Sequence, residues 1–354
     1  MQPHIIKPGF LSSLIILLLT YSLNAQVKHF TYRFSTGIKY DSNVFETSQN
    51  PALDQAIRIS GNLTFRKYWK RVLVKIDFQS GGEKYFENII EDRVINELDL
   101  ILEYRIISKI SGGIEARGWL KNYLNRKFDY HTDIFKIYYR FPLWIKTGLK
   151  LTFAYFTLNY LNPSSFDIRE PFAEILFNIP VTKYLNTGIK YISGRSNYPL
   201  QNSLVLSDGG LVLKTDNIKR RDNFKKGIFY LTYTRKIFMN MEFNYRNLSS
   251  NSYGQTFREL AGLMLMTRKL GNKYYIKLFI SSQIKKYSES YPDTIIIEMD
   301  PERNEQNIFL MELDRNISPN LIFKMGTGWY KNESKFRDRY YRKFLFTIGA
   351  EYKM

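Results

Sequence analysis

Apolar and polar residues alternate one by one over long segments of this chain. Between Tyr32 and Tyr40 the even positions carry Tyr, Phe, Thr, Ile and Tyr, whereas the odd positions carry Arg, Ser, Gly and Lys. Successive side chains of a β-strand point to opposite faces, so this segment predicts a strand with one apolar and one polar face. The same alternation recurs up to the C-terminus, and it predicts an all-β fold.

The alternation predicts about sixteen strands joined by two kinds of connection. The predicted strands cover 31–40, 56–67, 71–80, 95–106, 110–120, 131–141, 145–158, 171–180, 185–194, 227–235, 238–248, 257–267, 273–283, 306–316, 321–331 and 341–354. Tight turns after every second strand alternate with longer polar loops, of which 195–226 and 284–305 are the longest. An even strand number with short turns at one end and long loops at the other is typical of a transmembrane, antiparallel up-and-down β-barrel.

A bilayer explains the apolar face of these strands. No water reaches the hydrocarbon core to bond exposed backbone groups, so strands cross it only as a closed sheet without edges. A secreted β-sandwich, solenoid or propeller would also show alternation, but it would need compact cores or an internal repeat such as a glycine-rich blade motif. We find neither a fixed period nor such a motif in the sequence, which favours the barrel.

The first 25 residues carry the features of a secretory signal peptide. A basic start that includes Lys7 precedes an apolar stretch from 10 to 23, and Ala25 offers a small residue before the expected cleavage. The stretch is shorter than the roughly 20 residues that a retained membrane helix would need. We therefore predict a cleaved signal peptide, 1–25, followed by an outer-membrane β-barrel, 26–354, located in the cell outer membrane.

Aromatic residues, among them 27 Tyr and 26 Phe, cluster near the ends of predicted strands. Those beside tight turns are Tyr68, Trp69, Phe141, Trp144, Tyr184, Phe238 and Tyr274, and those beside long loops are Tyr40, Trp119, Tyr155, Tyr160, Tyr191, Trp329 and Tyr330. Such rings suit the membrane interface, because the ring body stays in lipid and the polar atom in water. They predict two girdles, although Tyr and Phe also favour strands in general.

Two segments resemble those of Gram-negative outer-membrane barrels of the porin-like type. The first predicted strand closes in the hexapeptide YDSNVF (40–45), and the last carries Phe344, Phe346, Ile348, Ala350 and Tyr352 on one face. The last strand is similar to the signal read by the barrel-insertion machinery, with Met354 where a terminal Phe or Trp is usual. The resemblance implies insertion by that machinery, and it leaves a homo-oligomer or partners in an export complex open.

Charged residues on the polar faces are candidates for the lining of a water-filled lumen. The basic candidates form two groups, Arg33, Lys39, Arg58 and Arg66, and Lys136, Arg140, Lys146 and Lys150. The acidic candidates are Glu97, Asp99, Glu103 and Glu115. Opposed strips of this kind would set up a transverse field that selects solutes by charge. The alternative is that these side chains simply pair and fill the barrel interior.

The remaining positive charge lies in loops. The chain has 52 Lys and Arg against 33 Asp and Glu, and its formal net charge is +19. Lys219, Arg220, Arg221, Lys225 and Lys226 crowd the longest loop. A secreted chain does not meet nucleic acid, so the expected partners are outer-membrane lipid and lipopolysaccharide, whose phosphates suit arginine. A plain solvated loop is the alternative.

No catalytic or metal site can be assembled from the sequence. The chain has no cysteine, and beyond the signal peptide its histidines are His29 and His131, neither of which belongs to a recognisable hydrolase motif. We predict no cofactor, no metal and no enzyme activity. The function expected is an outer-membrane channel for passive diffusion of small, anionic-leaning solutes. The alternatives are a barrel component of a polysaccharide-export or secretion assembly and an outer-membrane hydrolase.

Overall fold

Strands make up almost all of the described chain. The computed structural model describes residues 29–46, 50–125, 129–143, 147–161, 166–207, 210–213, 218–289, 306–332 and 341–354. The strands are β1 (Phe30–Asp41), β2 (Asp54–Trp69), β3 (Val72–Tyr85), β4 (Arg93–Ile107), β5 (Ile110–Tyr123), β6 (Tyr130–Pro142), β7 (Gly148–Tyr160), β8 (Ile168–Pro180), β9 (Leu185–Asn202), β10 (Leu204–Ser207), β11 (Gly210–Leu213), β12 (Lys219–Thr234), β13 (Ile237–Ser250), β14 (Phe257–Leu270), β15 (Tyr274–Tyr287), β16 (Gln306–Asn316), β17 (Leu321–Asn332) and β18 (Tyr341–Lys353). A 3₁₀ turn, Ile89–Glu91, lies between β3 and β4. The predicted signal peptide lies outside the described residues.

Sixteen of the strands form one closed antiparallel barrel. Each barrel strand pairs with its neighbours in the chain, and β1 pairs with β18 to close the sheet. β10 and β11 form a separate hairpin, so β9 pairs directly with β12. The predicted all-β barrel of about sixteen strands is confirmed.

The outer surface of the barrel is apolar, and its inner surface is polar. On β1, Phe34 and Ile38 are each 53% exposed on the outside, whereas Lys39 is only 3% exposed on the inside. Every strand of the closed sheet has a partner on both sides, so the ladder satisfies the backbone groups as lipid requires. No helix in the described part of the chain is long and apolar enough to cross a bilayer.

The two ends of the barrel differ in their connections. At one end neighbouring strands are joined by tight turns, such as the two residues Lys70 and Arg71 between β2 and β3. The same end holds the first and last strand ends, where Tyr32 and Met354 exchange two backbone hydrogen bonds of 2.9 and 3.0 Å. The longer connections join strand ends at the opposite end of the barrel. We call these the turn end and the loop end.

The predicted bounds of the longest loop, 195–226, are wrong in part. β9 continues to Asn202 and β12 begins at Lys219, so only 203–218 separates the two strands. Both faces of these extensions are rich in polar residues, which hides the alternation that marks a membrane-crossing strand. Backbone pairing such as Arg221 with Asn197 nevertheless continues there.

Three residues assigned to the aromatic girdle at the loop end lie inside the barrel instead. One of them, Tyr330, lies in register with Lys343 on the inner wall. Tyr160 is buried in a cluster with Tyr130, Leu158 and Ile168, and Trp119 packs against it. The ring centroids of Trp119 and Tyr130 are 5.4 Å apart. Their positions have lumen-facing parity, so these rings fill one side of the lumen near the loop end and do not contact lipid.

Candidate functional site

A recess of about 270 Å³ indents the inner wall where the barrel closes. Its floor contains glycines, including Gly37 and Gly349, which face each other across the pairing of β1 with β18. A Cβ atom added to Gly37 would come within 2.5 Å of the Ile348 carbonyl oxygen. The strands approach so closely here that only glycine fits, and the missing side chains leave the recess.

Glu83 is the centre of the charge cluster in this recess. Its carboxylate accepts hydrogen bonds from Lys39 Nζ at 2.8 Å and Arg93 Nη2 at 2.6 Å, and Arg58 Nε lies 2.9 Å away. The Glu83 side chain is 11% exposed, whereas that of Arg58 is 52% exposed. One carboxylate thus holds three cations, and Arg58 presents positive charge to the lumen.

The cluster continues towards the loop end through Lys343. Lys343 Nζ lies 3.0 Å from Asp41 Oδ2 and 3.1 Å from Glu46 Oε1 in the β1–β2 loop. Tyr341 Oη donates to the other oxygen of Glu46 at 2.9 Å. Partial burial opposes ionisation of Glu46, but Lys343 and Tyr341 outweigh it and hold the pKa of this carboxyl below its usual range.

The opposite side of the recess carries a second network of ion pairs. Lys277 Nζ lies 2.6 Å from both Glu312 Oε1 and Asp314 Oδ2. Lys324 Nζ lies 2.6 Å from Glu351 Oε2 on β18. Glu312 and Lys324 line the recess, so a solute there would meet both signs of charge.

The predicted acidic strip and second basic strip are cross-linked rather than opposed. Lys136 donates to Glu115 at 2.9 Å, and Arg140 donates to Glu103 at 2.7 Å. Arg117 bonds Asp99 with both nitrogens of its fork and lies 3.7 Å from Glu97. The pairing arises because β4, β5 and β6 are neighbours, so their inward charges meet directly.

The other members of the second basic strip are placed differently. Lys150 Nζ lies 4.2 Å from the ring centroid of Tyr138, on the lumen face. Lys146 lies outside the described residues. The strip is therefore represented in the lumen by Lys136, Arg140 and Lys150, two of which are neutralised by carboxylates.

The first basic strip divides between two places. Lys39 and Arg58 belong to the Glu83 cluster, whereas Arg33 and Arg66 lie at the turn end, exposed on the lumen side. Arg33 pairs in register with Lys353, and Arg105 lies on the same face at the end of β4. We call Arg33, Arg66, Arg105 and Lys353 the basic collar. In the described chain none of the four lies within 4.0 Å of a carboxylate.

The five basic residues predicted to contact lipopolysaccharide do not share one surface. Arg220 faces inward, where it bonds Asp222 and stacks over Tyr198 at 4.1 Å. Lys226 has the same inward parity, and Lys219 donates to Asn202 at 2.8 Å. Arg221 and Lys225 are exposed on the outer surface.

The histidine considered for catalysis lies on the outer face. His131 and Asp133 are 42% and 61% exposed, with His131 Nε2 3.8 Å from Asp133 Oδ2 and 3.1 Å from Asn159 Nδ2. Within the described ranges, no group of three or more His, Asp or Glu side chains is arranged to hold a metal ion.

Sequence reasoning missed Glu83 and Arg93, two of the four members of the recess cluster. Both lie just beyond the predicted ends of β3 and β4. Extending the alternation through Asp77, Gln79 and Gly81 would have placed Glu83 on the inner face. The glycines at 81 and 82 hid that signal.

Comparisons with known proteins agree with this architecture. CdiB from Acinetobacter baumannii is similar at a TM-score of 0.51 and 6% identity, over 93% of this chain and 60% of CdiB. OccAB1 of the same organism has a TM-score of 0.49 and 8% identity, over 92% and 96% of the two chains. The outer membrane protein OmpT of Vibrio cholerae has a TM-score of 0.47 and 9% identity, over 92% and 97%.

At these identities the similarity concerns the fold alone. No protein-family model and no curated protein matches the sequence. The closed sheet and the apolar outer surface, in a fold similar to that of CdiB, identify the chain as an outer-membrane β-barrel.

Proposed function

We propose that this barrel is a passive channel for small polar solutes, with a preference for anions and no catalytic activity. The observation that carries the proposal is the basic collar at the turn end of the lumen. Its four cations are exposed and have no carboxylate neighbour in the described chain, whereas most charges farther inside are paired. An unpaired cationic mouth raises the local concentration of anions.

The size and lining of the recess support the proposal of small polar solutes. A volume of about 270 Å³ is large enough for a small molecule, and its lining offers glycine, serine and charges of both signs. Polar and charged side chains of this kind stay hydrated, which suits a polar solute. The paired interior limits how strongly the channel can discriminate, so the preference comes from the mouth.

The test is the conductance and reversal potential of purified protein in a planar bilayer across a KCl gradient. We expect open channels whose reversal potential favours chloride, and less so at high salt because exposed charges are screened. In a collar variant, Arg33→Gln, Arg66→Gln, Arg105→Gln and Lys353→Gln together, the reversal potential should move towards zero or cation preference.

The matched control removes the same number of cations at the turn end but outside the lumen. It combines Arg235→Gln, Lys236→Gln, Arg268→Gln and Arg315→Gln, all exposed in the β12–β13 turn or on outer faces. This turn variant should keep the wild-type reversal potential. A purified barrel that is silent would contradict the channel and favour a sealed component of a larger assembly.

A further inference from the structure

Four cations form a cluster on the outer face near the loop end. Arg169 on β8, Arg195 on β9, and Arg221 and Lys225 on β12 are all exposed. Asn197 lies in register with both Arg169 and Arg221, and Arg195 lies in register with Asn223. The cations are therefore directly or diagonally adjacent on three neighbouring strands. We call these four residues the outer cation cluster.

The parity of the strands separates the two signs of charge in this region. Glu170 follows Arg169 but points inward and bonds Ser196, and Asp222 follows Arg221 but points inward and pairs with Arg220. Over the described ranges, no carboxylate lies within 4.0 Å of any of the four cations, and the one carboxylate near enough to Arg169 to interact with it electrostatically is Asp167. Within the described residues, the side chains of these four cations form one hydrogen bond, which Arg195 Nε donates to Asn223 Oδ1 at 2.9 Å. The cluster thus has positive charge left for a partner outside the chain.

The position of the cluster indicates what that partner is. The next outward-facing large side chains towards the turn end are apolar and exposed, among them Ile175, Tyr191 and Phe229. They belong to the band that contacts lipid tails. A partner bound at the cluster would therefore have its anionic group beside the arginines and its apolar part against this band.

We propose that the outer cation cluster binds the phosphate groups of an outer-leaflet glycolipid. Three guanidinium groups can bond phosphate oxygens in pairs, and the amides of Asn197 and Asn223 lie between them. The acyl chains of the lipid lie along Tyr191 and Phe229. This surface faces away from the lumen, so the inference is independent of whether the barrel conducts.

The test measures binding of lipid A to the purified barrel in detergent. An outer variant, Arg169→Gln, Arg195→Gln, Arg221→Gln and Lys225→Gln together, should bind lipid A at least about tenfold more weakly than wild type. The turn variant described above loses three arginines and one lysine as well, and it should stay within about threefold of wild type. Lipid A without phosphates should bind wild type as weakly as intact lipid A binds the outer variant.

Two further measurements complete the test, a check of barrel formation and a competition with inorganic phosphate. Heat-modified gel mobility shows whether each variant forms the barrel. If the outer variant does not, two double variants replace it: Arg169→Gln with Arg195→Gln, and Arg221→Gln with Lys225→Gln. Each double variant should bind lipid A more weakly than wild type. Excess inorganic phosphate should fail to displace lipid A, because it lacks the apolar part. Equal binding by outer variant and wild type, equal losses in the outer and turn variants, or displacement by inorganic phosphate would overturn the proposal.

Discussion

Lys39 Nζ donates to Glu83 Oε2 at 2.8 Å across the inner wall of β1 to β3. The same carboxylate is shared by Arg58 and Arg93, so one acid contacts three cations, of which Lys39 also has a second carboxylate nearby, Asp41 at 3.7 Å. The charge facing the recess therefore depends on Glu83 more than on any one of its basic partners.

Neutralising this acid should change both selectivity and stability. In Glu83→Gln the three cations lose their shared counterion, and the reversal potential should move towards anions, most strongly at low salt. Removing one partner of a buried ion cluster should also lower the free energy of unfolding by about 3 kcal/mol. Planar-bilayer recordings and the denaturant midpoint of gel mobility measure the two effects.

The matched change of opposite sign is Arg58→Gln. Arg58 is the most exposed of the three cations, so its loss should shift the reversal potential towards cations with little loss of stability. If neither variant moves the reversal potential, the recess does not lie on the ion path.

The contact between Gly113 and Tyr138 makes a second prediction. A Cβ atom at Gly113 would lie 2.5 Å from Tyr138 Oη and 2.8 Å from the Leu102 carbonyl oxygen. The tyrosine can move aside, but the carbonyl belongs to β4, which pairs with β5 along its length. Gly113→Ala should therefore lower the free energy of unfolding by about 1–3 kcal/mol, measured by denaturant titration.

Gly227→Ala serves as the control for this packing effect. No atom lies within 4 Å of the position that its Cβ would take. The substitution should leave stability unchanged or raise it slightly, because alanine restricts the unfolded chain. Similar losses in both variants would show that glycine at 113 is needed for some reason other than this contact.

The number of strands and most of their inward faces could be predicted because a two-residue period in a membrane leaves little choice of face. The inward orientation of Arg220 and Lys226 could not be predicted in this way. Polar residues on both sides made 195–226 resemble a loop, where no parity can be assigned. Once β9 and β12 extend above the apolar band, parity turns Arg220 and Lys226 inward and Arg221 and Lys225 outward.

The ion pairs could not be predicted from the sequence for a different reason. Polar faces identify which charges point inward, but pairing depends on the register between neighbouring strands. Arg140 and Glu103 lie on β6 and β4 with β5 between them, and Tyr138 bonds the same carboxylate at 2.8 Å. Such contacts follow from barrel geometry and strand register, which the alternation alone does not define.

The contact of Glu46 in the β1–β2 loop with Lys343 and Tyr341 should make the stability of the barrel sensitive to acid. The folded-state pKa of Glu46 is below its usual value, near 4.3 in unfolded chains, so its stabilisation is complete above about pH 5 and is lost as pH falls through the folded-state pKa. Glu46→Gln should unfold at a lower temperature than wild type at pH 7. The difference should shrink as the pH falls below about 4, measured by gel mobility after heating.

The control for this pH effect is Glu87→Gln, at an exposed position in the neighbouring β3–β4 loop. It should show the wild-type pH profile. A stability difference for Glu46→Gln that persists unchanged at about pH 2 would mean that the glutamate acts through packing and not through its charge.

The barrel geometry also predicts which end faces the cell exterior. Outer-membrane barrels place long loops outside and short turns in the periplasm. The chain has no cysteine, so single replacements give an unambiguous label. Leu124→Cys lies in the β5–β6 loop, where the leucine is 63% exposed, and Lys236→Cys lies in the β12–β13 turn. On intact cells a membrane-impermeant maleimide should label only Leu124→Cys, whereas after lysis it should label both. Labelling of Lys236→Cys alone on intact cells would mean that the barrel is inserted with the basic collar outside, and the mouth that meets extracellular solutes would then be the cationic one.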